Sequence, residues 1–242
     1  MIRIVVTGSK GRMGSRVGEL VSAANDLVLA AGIDIDDRLE DVIREADVVI
    51  DFTVPEASAC HARTAAKNYK PIVIGTTGLS HLQRGAVIEA ARTVPVVLAP
   101  NMSIGVNLML GLIDTAARTL GQGFRVEISE THHLHKKDRP SGTAIRMLDV
   151  AARGRGEDPS KDAIICREDE VADGNLVVRS MRQGEVVGDH EIAFKSPDER
   201  LAISHHAANR DIFARGAIAA ARWVVGKPTG LYGMDDVLGL KK

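Results

Sequence analysis

Apolar residues in the first hundred positions follow two alternating patterns. Short runs rich in Val and Ile at 2–7, 27–33, 48–52, 71–75 and 94–99 read as strands buried on both faces. Between them, apolar positions recur at helical spacing over 13–24, 41–45, 56–68 and 79–92. Val17, Leu20 and Val21 share one side of the first of these segments. Strand and helix in repeated alternation imply a parallel sheet with right-handed crossovers. The predicted class is α/β, with a Rossmann-like doubly wound parallel sheet.

Beyond Asn101 the pattern changes. Helical spacing covers 108–120 and 141–152, and strand-like stretches fall at 125–130, 176–180, 186–194 and 200–205. A polar link containing Gly and Pro lies at 154–161, and a last helix at 212–225 precedes a turn-rich tail. Strands that follow one another without intervening helices predict a second α+β domain, an open mixed or antiparallel sheet covered by two helices.

Composition narrows the function classes. The 242 residues suit two small domains, and an apolar fraction of 45% supports packed cores. Lys and Arg number 31 against 32 Asp and Glu, so no global field attracts nucleic acid or a membrane surface. One Trp, two Tyr and four Phe offer no base-stacking platform. No segment approaches the ~20 apolar residues of a membrane span. Cys60 and Cys166 lack metal-site spacing and read as buried free thiols. The opening run enters a strand directly, without a signal-peptide pattern, so a cytoplasmic location is expected.

Candidate chemistry begins where the first strand ends. Gly8, Ser9, Lys10, Gly11, Arg12, Met13 and Gly14 form a G-x-x-G-x-x-G turn that opens a helix. Such glycines let backbone N–H groups approach a pyrophosphate at the positive end of a helix. Asp34 closes the second strand 20 residues after Gly14, where a carboxylate would accept hydrogen bonds from adenosine ribose hydroxyls. An acidic residue there favours NADH, while Lys10 and Arg12 could reach the extra phosphate of NADPH. Small and hydroxyl residues also close later strands: Asp51-Phe52-Thr53, then Gly75-Thr76-Thr77-Gly78, then Ala99-Pro100-Asn101-Met102. Their positions leave room for the rest of a dinucleotide. A short-chain dehydrogenase would need Tyr-x-x-x-Lys, but Tyr69 and Tyr232 precede Val73 and Asp236 at that spacing.

The segment Glu130-Thr131-His132-His133-Leu134-His135-Lys136-Lys137-Asp138-Arg139-Pro140-Ser141-Gly142-Thr143-Ala144 concentrates three of the eight histidines in four positions. Three readings stand side by side: a solvated basic loop, a metal site, and a site for an anionic substrate with a histidine acid and a lysine partner. The metal reading lacks a nearby cysteine or a helical histidine pair. A redox-sensing dinucleotide binder without turnover would leave this segment without a role.

The same run resembles the E-x-H-H-x-x-K-x-D-x-P-S-G-T-A signature of the 4-hydroxy-tetrahydrodipicolinate reductase (dihydrodipicolinate reductase) family. G-S-K-G-R-M-G at 8–14, D-F-T at 51–53, G-T-T-G at 75–78, A-P-N-M-S-I-G-V-N at 99–107 and G-L-Y-G-M-D-D-V-L-G-L at 230–240 extend the likeness along nearly the whole chain. The stretch between Asp34 and Val48 is shorter than in many members. The resemblance implies NAD(P)H-dependent reduction of a cyclic dicarboxylate imine in lysine/diaminopimelate biosynthesis, with NADH or NADPH as cofactor and no metal. It implies His132 as proton donor and Lys136 as a second catalytic, substrate-orienting cation. His133, Ser141, Gly142 and Thr143 would bind substrate. The cofactor would lie on residues 8–13, Asp34, Gly75, Thr76, Thr77, Ala99, Pro100, Asn101 and Met102. Residues 1–101 and 213–242 would form the dinucleotide-binding domain, and 102–212 a substrate-binding and oligomerisation domain. A homotetramer assembled through the second sheet is expected, with neither nucleic acid nor membrane as partner.

Overall fold

The computed structural model describes residues 1–167 and 174–241. It divides into two compact units, Met1–Ile104 with Asp211–Lys242, and Gly105–Arg210. In the first, strands β1 (Ile2–Thr7), β2 (Leu27–Ile33), β3 (Val48–Asp51), β4 (Ile72–Ile74), β5 (Pro95–Leu98) and β11 (Gly230–Tyr232) form one parallel sheet in the order β11-β5-β4-β3-β1-β2. The chain passes from β1 to β2 on one side and then crosses back to place β3 on the other side of β1. The order therefore reverses beside β1, where doubly wound sheets open a ligand crevice at their carboxyl edge.

Both faces of this sheet are covered, which is why its strands lack a polar side. Ile4 and Val6 pack with helices α1 (Arg12–Ser22) and α8 (Asp211–Val224) through Val17, Val21, Ala217 and Ala221. Val5, Val49, Ile72 and Ile74 pack on the other face with α3 (Pro55–Lys67) and α4 (His81–Ala90) through Ala62, Ala65 and Val87. Local signals trim the elements. Pro55 occupies the first turn of α3, where its missing N–H costs nothing. Ser80 caps α4 reciprocally with Gln83, so that helix begins at His81 rather than at 79. The predicted helix at 41–45 is a single turn, α2 (Leu39–Val42), followed by a 3-10 turn at Ile43–Glu45.

The second unit holds a five-stranded mixed sheet in the order β10-β9-β6-β8-β7, built from β6 (Arg125–His132), β7 (Ala163–Arg167), β8 (Leu176–Arg182), β9 (Asp189–Lys195) and β10 (Arg200–His206). β6 pairs antiparallel with β9 and parallel with β8. Helices α5 (Ile104–Leu120) and α6 (Gly142–Arg155) cover one face through Met109, Ile113, Met147 and Leu148, against Val126, Ile128, Val178, Ile192 and Phe194.

The predicted link at 154–161 is largely ordered secondary structure. Helix α6 continues to Arg155, Gly156 caps it, and a further turn, α7 (Pro159–Asp162), follows. Arg155 fixes this connection: its side chain is fully buried, Nη2 donates to Glu157 Oε1 at 2.8 Å, and Nη1 donates to the Phe124 carbonyl ahead of β6. Replacing Arg155 by Met strands the Glu157 carboxylate. The expected loss is about 3 kcal/mol or more, a fall in Tm of about 6–12 °C, readable by denaturant titration and calorimetry. A loss under about 1 kcal/mol would show that the ion pair holds nothing in place.

Candidate active site

In the first unit the glycine turn is built by close backbone approach. Gly8 has φ +74°, and a Cβ there would lie 2.2 Å from the Phe52 carbonyl oxygen; one at Gly14 would lie 2.1 Å from the Gly8 oxygen. Gly11 N–H donates to the Gly8 carbonyl at 2.9 Å, and Ser9 N–H to the Ile33 carbonyl at 3.0 Å. Gly11 is the N-cap position of α1, an eleven-residue helix whose first turn has neither a side-chain cap nor an acidic residue. Such a helix end, reached by side-chain-free backbone, fits a pyrophosphate. Asp34 is already tied to this turn. Its carboxylate accepts from Lys10 N–H at 2.8 Å and Ile35 N–H at 3.0 Å, and those bonds lower its pKa.

Beside the turn the strand-end residue Asp51 proves to be the centre of a buried hydrogen-bond network, which its sequence position alone did not reveal. Asp51 is fully buried at the end of β3 and accepts from the hydroxyls of Thr7 (2.7 Å), Thr76 (2.8 Å), Ser58 (2.5 Å) and Thr53 (3.1 Å) and from His61 Nδ1 (2.6 Å). Burial alone would raise its pKa, but these donors lower it. The Thr76 hydroxyl also accepts from Thr53 N–H at 2.9 Å, so it belongs to this network and not to an open crevice. Gly75 leaves space for the Phe52 ring, which a Cβ would meet at 2.2 Å. Thr77 and Pro100 are exposed, Asn101 Oδ1 accepts from Ser103 N–H at 2.9 Å, and Ala99 and Met102 pack into the apolar core.

In the second unit, strand register gathers the polar site. Period-two alternation puts Glu130 and His132 on one face of β6. Arg182 lies opposite His132 on β8, and His190 opposite Glu130 on β9. All four are buried. Glu130 Oε2 pairs with His132 Nδ1, while Oε1 accepts from Arg182 Nη1 at 3.0 Å and from Ser141 N–H at 3.2 Å. Burial would raise the Glu130 pKa, yet the His132 and Arg182 hydrogen bonds hold it at about 2. The His190 ring stands edge-on to His132, centroids 5.0 Å apart. Burial, then the neighbouring His132 charge, lowers the His190 pKa to about 4.

Ser141 begins α6: its hydroxyl accepts from Ala144 N–H at 3.2 Å and lies 3.3 Å from His190 Nε2. Gly142 is exposed at the first turn, with Thr143 half-buried beside it. Lys136 Nζ donates to both carboxylate oxygens of Asp138 at 2.8 Å, and the Lys136 carbonyl accepts from Arg182 Nε at 3.3 Å. His133 is half-buried, with a pKa lowered by burial and then by Arg210. The structure thus brings His132, His133, Lys136, Ser141, Gly142 and Thr143 to one end of this unit. It also corrects the solvated-loop reading. Leu134, His135 and Lys137 are exposed, but Glu130 and His132 belong to the buried sheet. Donor atoms of Glu130, His132 and His190 lie within 4.8 Å of one another, a metal-like grouping. Both Glu130 oxygens are already occupied, however, and the Arg182 guanidinium would repel a cation there. Arg182 and His190 come from distant strands, so only pairing could reveal them; Glu130 opens the histidine segment, and its i, i+2 spacing to His132 on a strand is the signal that could have paired the two.

Residues 2–102 match the N-terminal family description, "Dihydrodipicolinate reductase, N-terminus", and residues 105–238 match its C-terminal counterpart. The 4-hydroxy-tetrahydrodipicolinate reductase of Anaeromyxobacter dehalogenans is 42% identical over 267 residues, covering 100% of this chain and 99% of that protein. The Geobacter sulfurreducens enzyme of the same name is also 42% identical, with both chains fully covered. Among solved structures, the dipicolinate-bound dihydrodipicolinate reductase of Paenisporosarcina sp. TG-14 superposes with a TM-score of 0.83 at 27% identity, over 98% of this chain and 100% of that one. A probable dehydrogenase from Thermotoga maritima, 12% identical with a TM-score of 0.61 over 99% of this chain and 93% of its own, shares the fold. The chain belongs to the 4-hydroxy-tetrahydrodipicolinate reductase (dihydrodipicolinate reductase) family and is an NAD(P)H-dependent oxidoreductase.

Proposed function

We propose that this chain reduces 4-hydroxy-tetrahydrodipicolinate to tetrahydrodipicolinate in lysine/diaminopimelate biosynthesis, with His132 supplying the proton and Lys136 holding the substrate. The observation that carries this reading is the position of His132. It is 8% exposed at the end of β6, in the same unit as the N-terminus of a fourteen-residue helix and the Lys136 ammonium. A dianionic ring needs cations and N–H donors, and the reduced ring needs one proton. The dipicolinate in the Paenisporosarcina structure is a ring dicarboxylate of that kind.

Backbone groups of Gly8, Ser9, Lys10, Gly11, Arg12 and Met13 hold the pyrophosphate, and Asp34 the adenosine ribose. Gly75, Thr76, Thr77, Ala99, Pro100, Asn101 and Met102 would hold the nicotinamide half. When bound, the nicotinamide would supply the hydride that reduces the conjugated ring left after loss of water. Lys136 neutralises one ring carboxylate. Ser141, Gly142 and Thr143 offer donors at the start of α6 to the other, and His133 contacts the substrate. His132 then gives its proton to the reduced ring. The acidic Asp34 gives NADH the preference, with Lys10 and Arg12 allowing NADPH. The assembly is a cytoplasmic homotetramer joined through the second sheet, and no metal takes part.

His132→Ala lowers kcat by roughly 10²-fold or more with NADH binding unchanged, measured as NADH oxidation with enzymatically generated substrate; an unaltered kcat removes His132 from proton transfer. Asp34→Ala weakens NADH more than NADPH in equilibrium binding, and equal losses would rule out the ribose contact.

The site also sets a pH dependence of stability. The folded His190 pKa of about 4 lies below the ordinary 6.5. The unfolded chain therefore protonates first, and the stabilisation present above pH 6.5 is lost as pH falls toward 4. Glu130, at about 2 against an ordinary 4.5, extends the loss below pH 4.5. In denaturant titrations across pH 7 to 4, His190→Phe flattens the upper part of this slope. A slope equal to the parent's would mean that His190 titrates alike folded and unfolded.

A further inference from the structure

We propose that Glu130 is the positioning residue of the acid: it fixes His132 with Nδ1–H on its carboxylate, leaving Nε2 as the nitrogen that delivers the proton. The proposal rests on the reading of His132 as the proton donor and assigns the atom and the residue that set its geometry.

The tautomer follows from the partner. An ionised carboxylate has lone pairs and no proton, so the nitrogen facing it must be the donor in both charge states of the ring. The proton that comes and goes is then the one on Nε2. Glu130 cannot turn away, because its other oxygen is held by Arg182 Nη1 and Ser141 N–H. The Glu130 and Arg182 side chains are 0% and 2% exposed, so neither carboxylate nor guanidinium has water as an alternative partner. Arg182 is anchored in turn by the carbonyls of Met181 (2.6 Å) and Lys136 (3.3 Å). A continuous set of hydrogen bonds therefore joins the backbone of the Lys136 loop to the His132 ring.

Gly188 supplies an independent observation at the opposite nitrogen. A Cβ there would lie 3.0 Å from His132 Nε2 and 3.3 Å from Cδ2, and its φ lies outside the left-handed region. A side chain there would press on the ring at Nε2, so the backbone at 188 and the His132 ring are closely fitted on that side. His190, edge-on to the ring, limits its rotation from a third direction.

Glu130→Gln keeps the shape but presents an amide N–H to Nδ1, which must become an acceptor. The expected result is a fall in kcat of roughly 10–10²-fold, with KM for NADH and for substrate within about twofold. Nitrogen NMR of histidine-labelled enzyme should show the proton on Nδ1 of neutral His132 in the parent and on Nε2 in the variant. The double variant Glu130→Gln/His132→Ala should be no slower than His132→Ala alone, since a positioning residue has nothing left to position. Parental kcat or an unchanged tautomer in Glu130→Gln overturns the proposal, as does a double variant slower than His132→Ala. Gly188→Ala decides the matter if Glu130→Gln does not fold: kcat falls with the Nδ1–H tautomer kept, whereas parental kcat overturns the role of Nε2. Full activity in His132→Ala alone marks failure of the underlying reading, a distinct outcome.

Discussion

Glu130 is a negative charge without access to water, and the architecture of one end of the second sheet answers to that fact. A buried ionised carboxylate costs several kcal/mol unless opposite charge and hydrogen bonds replace its hydration. Its own strand supplies His132 two residues on. The parallel neighbour supplies Arg182, and the start of α6 supplies the Ser141 N–H. These donors come from three separate segments. Satisfying the charge therefore requires the β6–β8 register and the α6 docking to be correct at once. A one-residue slip of β8 would turn Arg182 to the opposite face and leave the carboxylate unpaired.

The first unit solves a related problem with different chemistry. Asp51 is as deeply buried, but its partners are hydroxyls from β1, from the turn after β3, from α3 and from the turn after β4, together with His61. Most of these donors are hydroxyls, which lock the strand ends together around the buried carboxylate without adding a fixed charge. The glycine turn can then hold its tight approach to the Phe52 carbonyl, a geometry set by neighbours and not by the turn alone. In each unit a buried acid fixes the backbone that carries the candidate ligand contacts, which is how a site gains rigidity from its supporting residues.

That logic also explains which parts were legible in the sequence. The parallel sheet was readable because double-sided burial leaves continuous apolar runs, and β1 and β2 match their predicted limits at Ile2–Thr7 and Leu27–Ile33. β7, with Ile164 and Ile165 partly exposed at a sheet edge, carries no alternation to detect. β11 is three residues long and owes its existence to pairing with β5. Polar residues follow the same rule. His132 and Lys136 stand in one dense segment, while Arg182 and His190 acquire meaning only when strands distant in sequence are laid side by side. Asp51 and Thr76 were both legible as strand-end residues, but the burial of the carboxylate and its hold on the Thr76 hydroxyl were not.

Exposure finally sorts the charges of the second unit into fixed and exchangeable ones. Arg182 and Glu130 are sealed from water, and separating them would leave two uncompensated charges. Lys136 and Asp138 form a pair of similar length, yet their side chains are 22% and 58% exposed. An ion pair in that setting contributes about 0–1 kcal/mol, because water takes over either partner readily. A ligand carboxylate can therefore replace Asp138 on the Lys136 ammonium at small cost, whereas it cannot draw Arg182 from Glu130. On the proposed reading, the cation that must meet substrate is the one the fold holds loosely, and the cation that must orient the acid is the one it holds fast. Arg182, which donates both to Glu130 and to the Lys136 carbonyl, keeps the two at a fixed separation while only the ammonium changes partners.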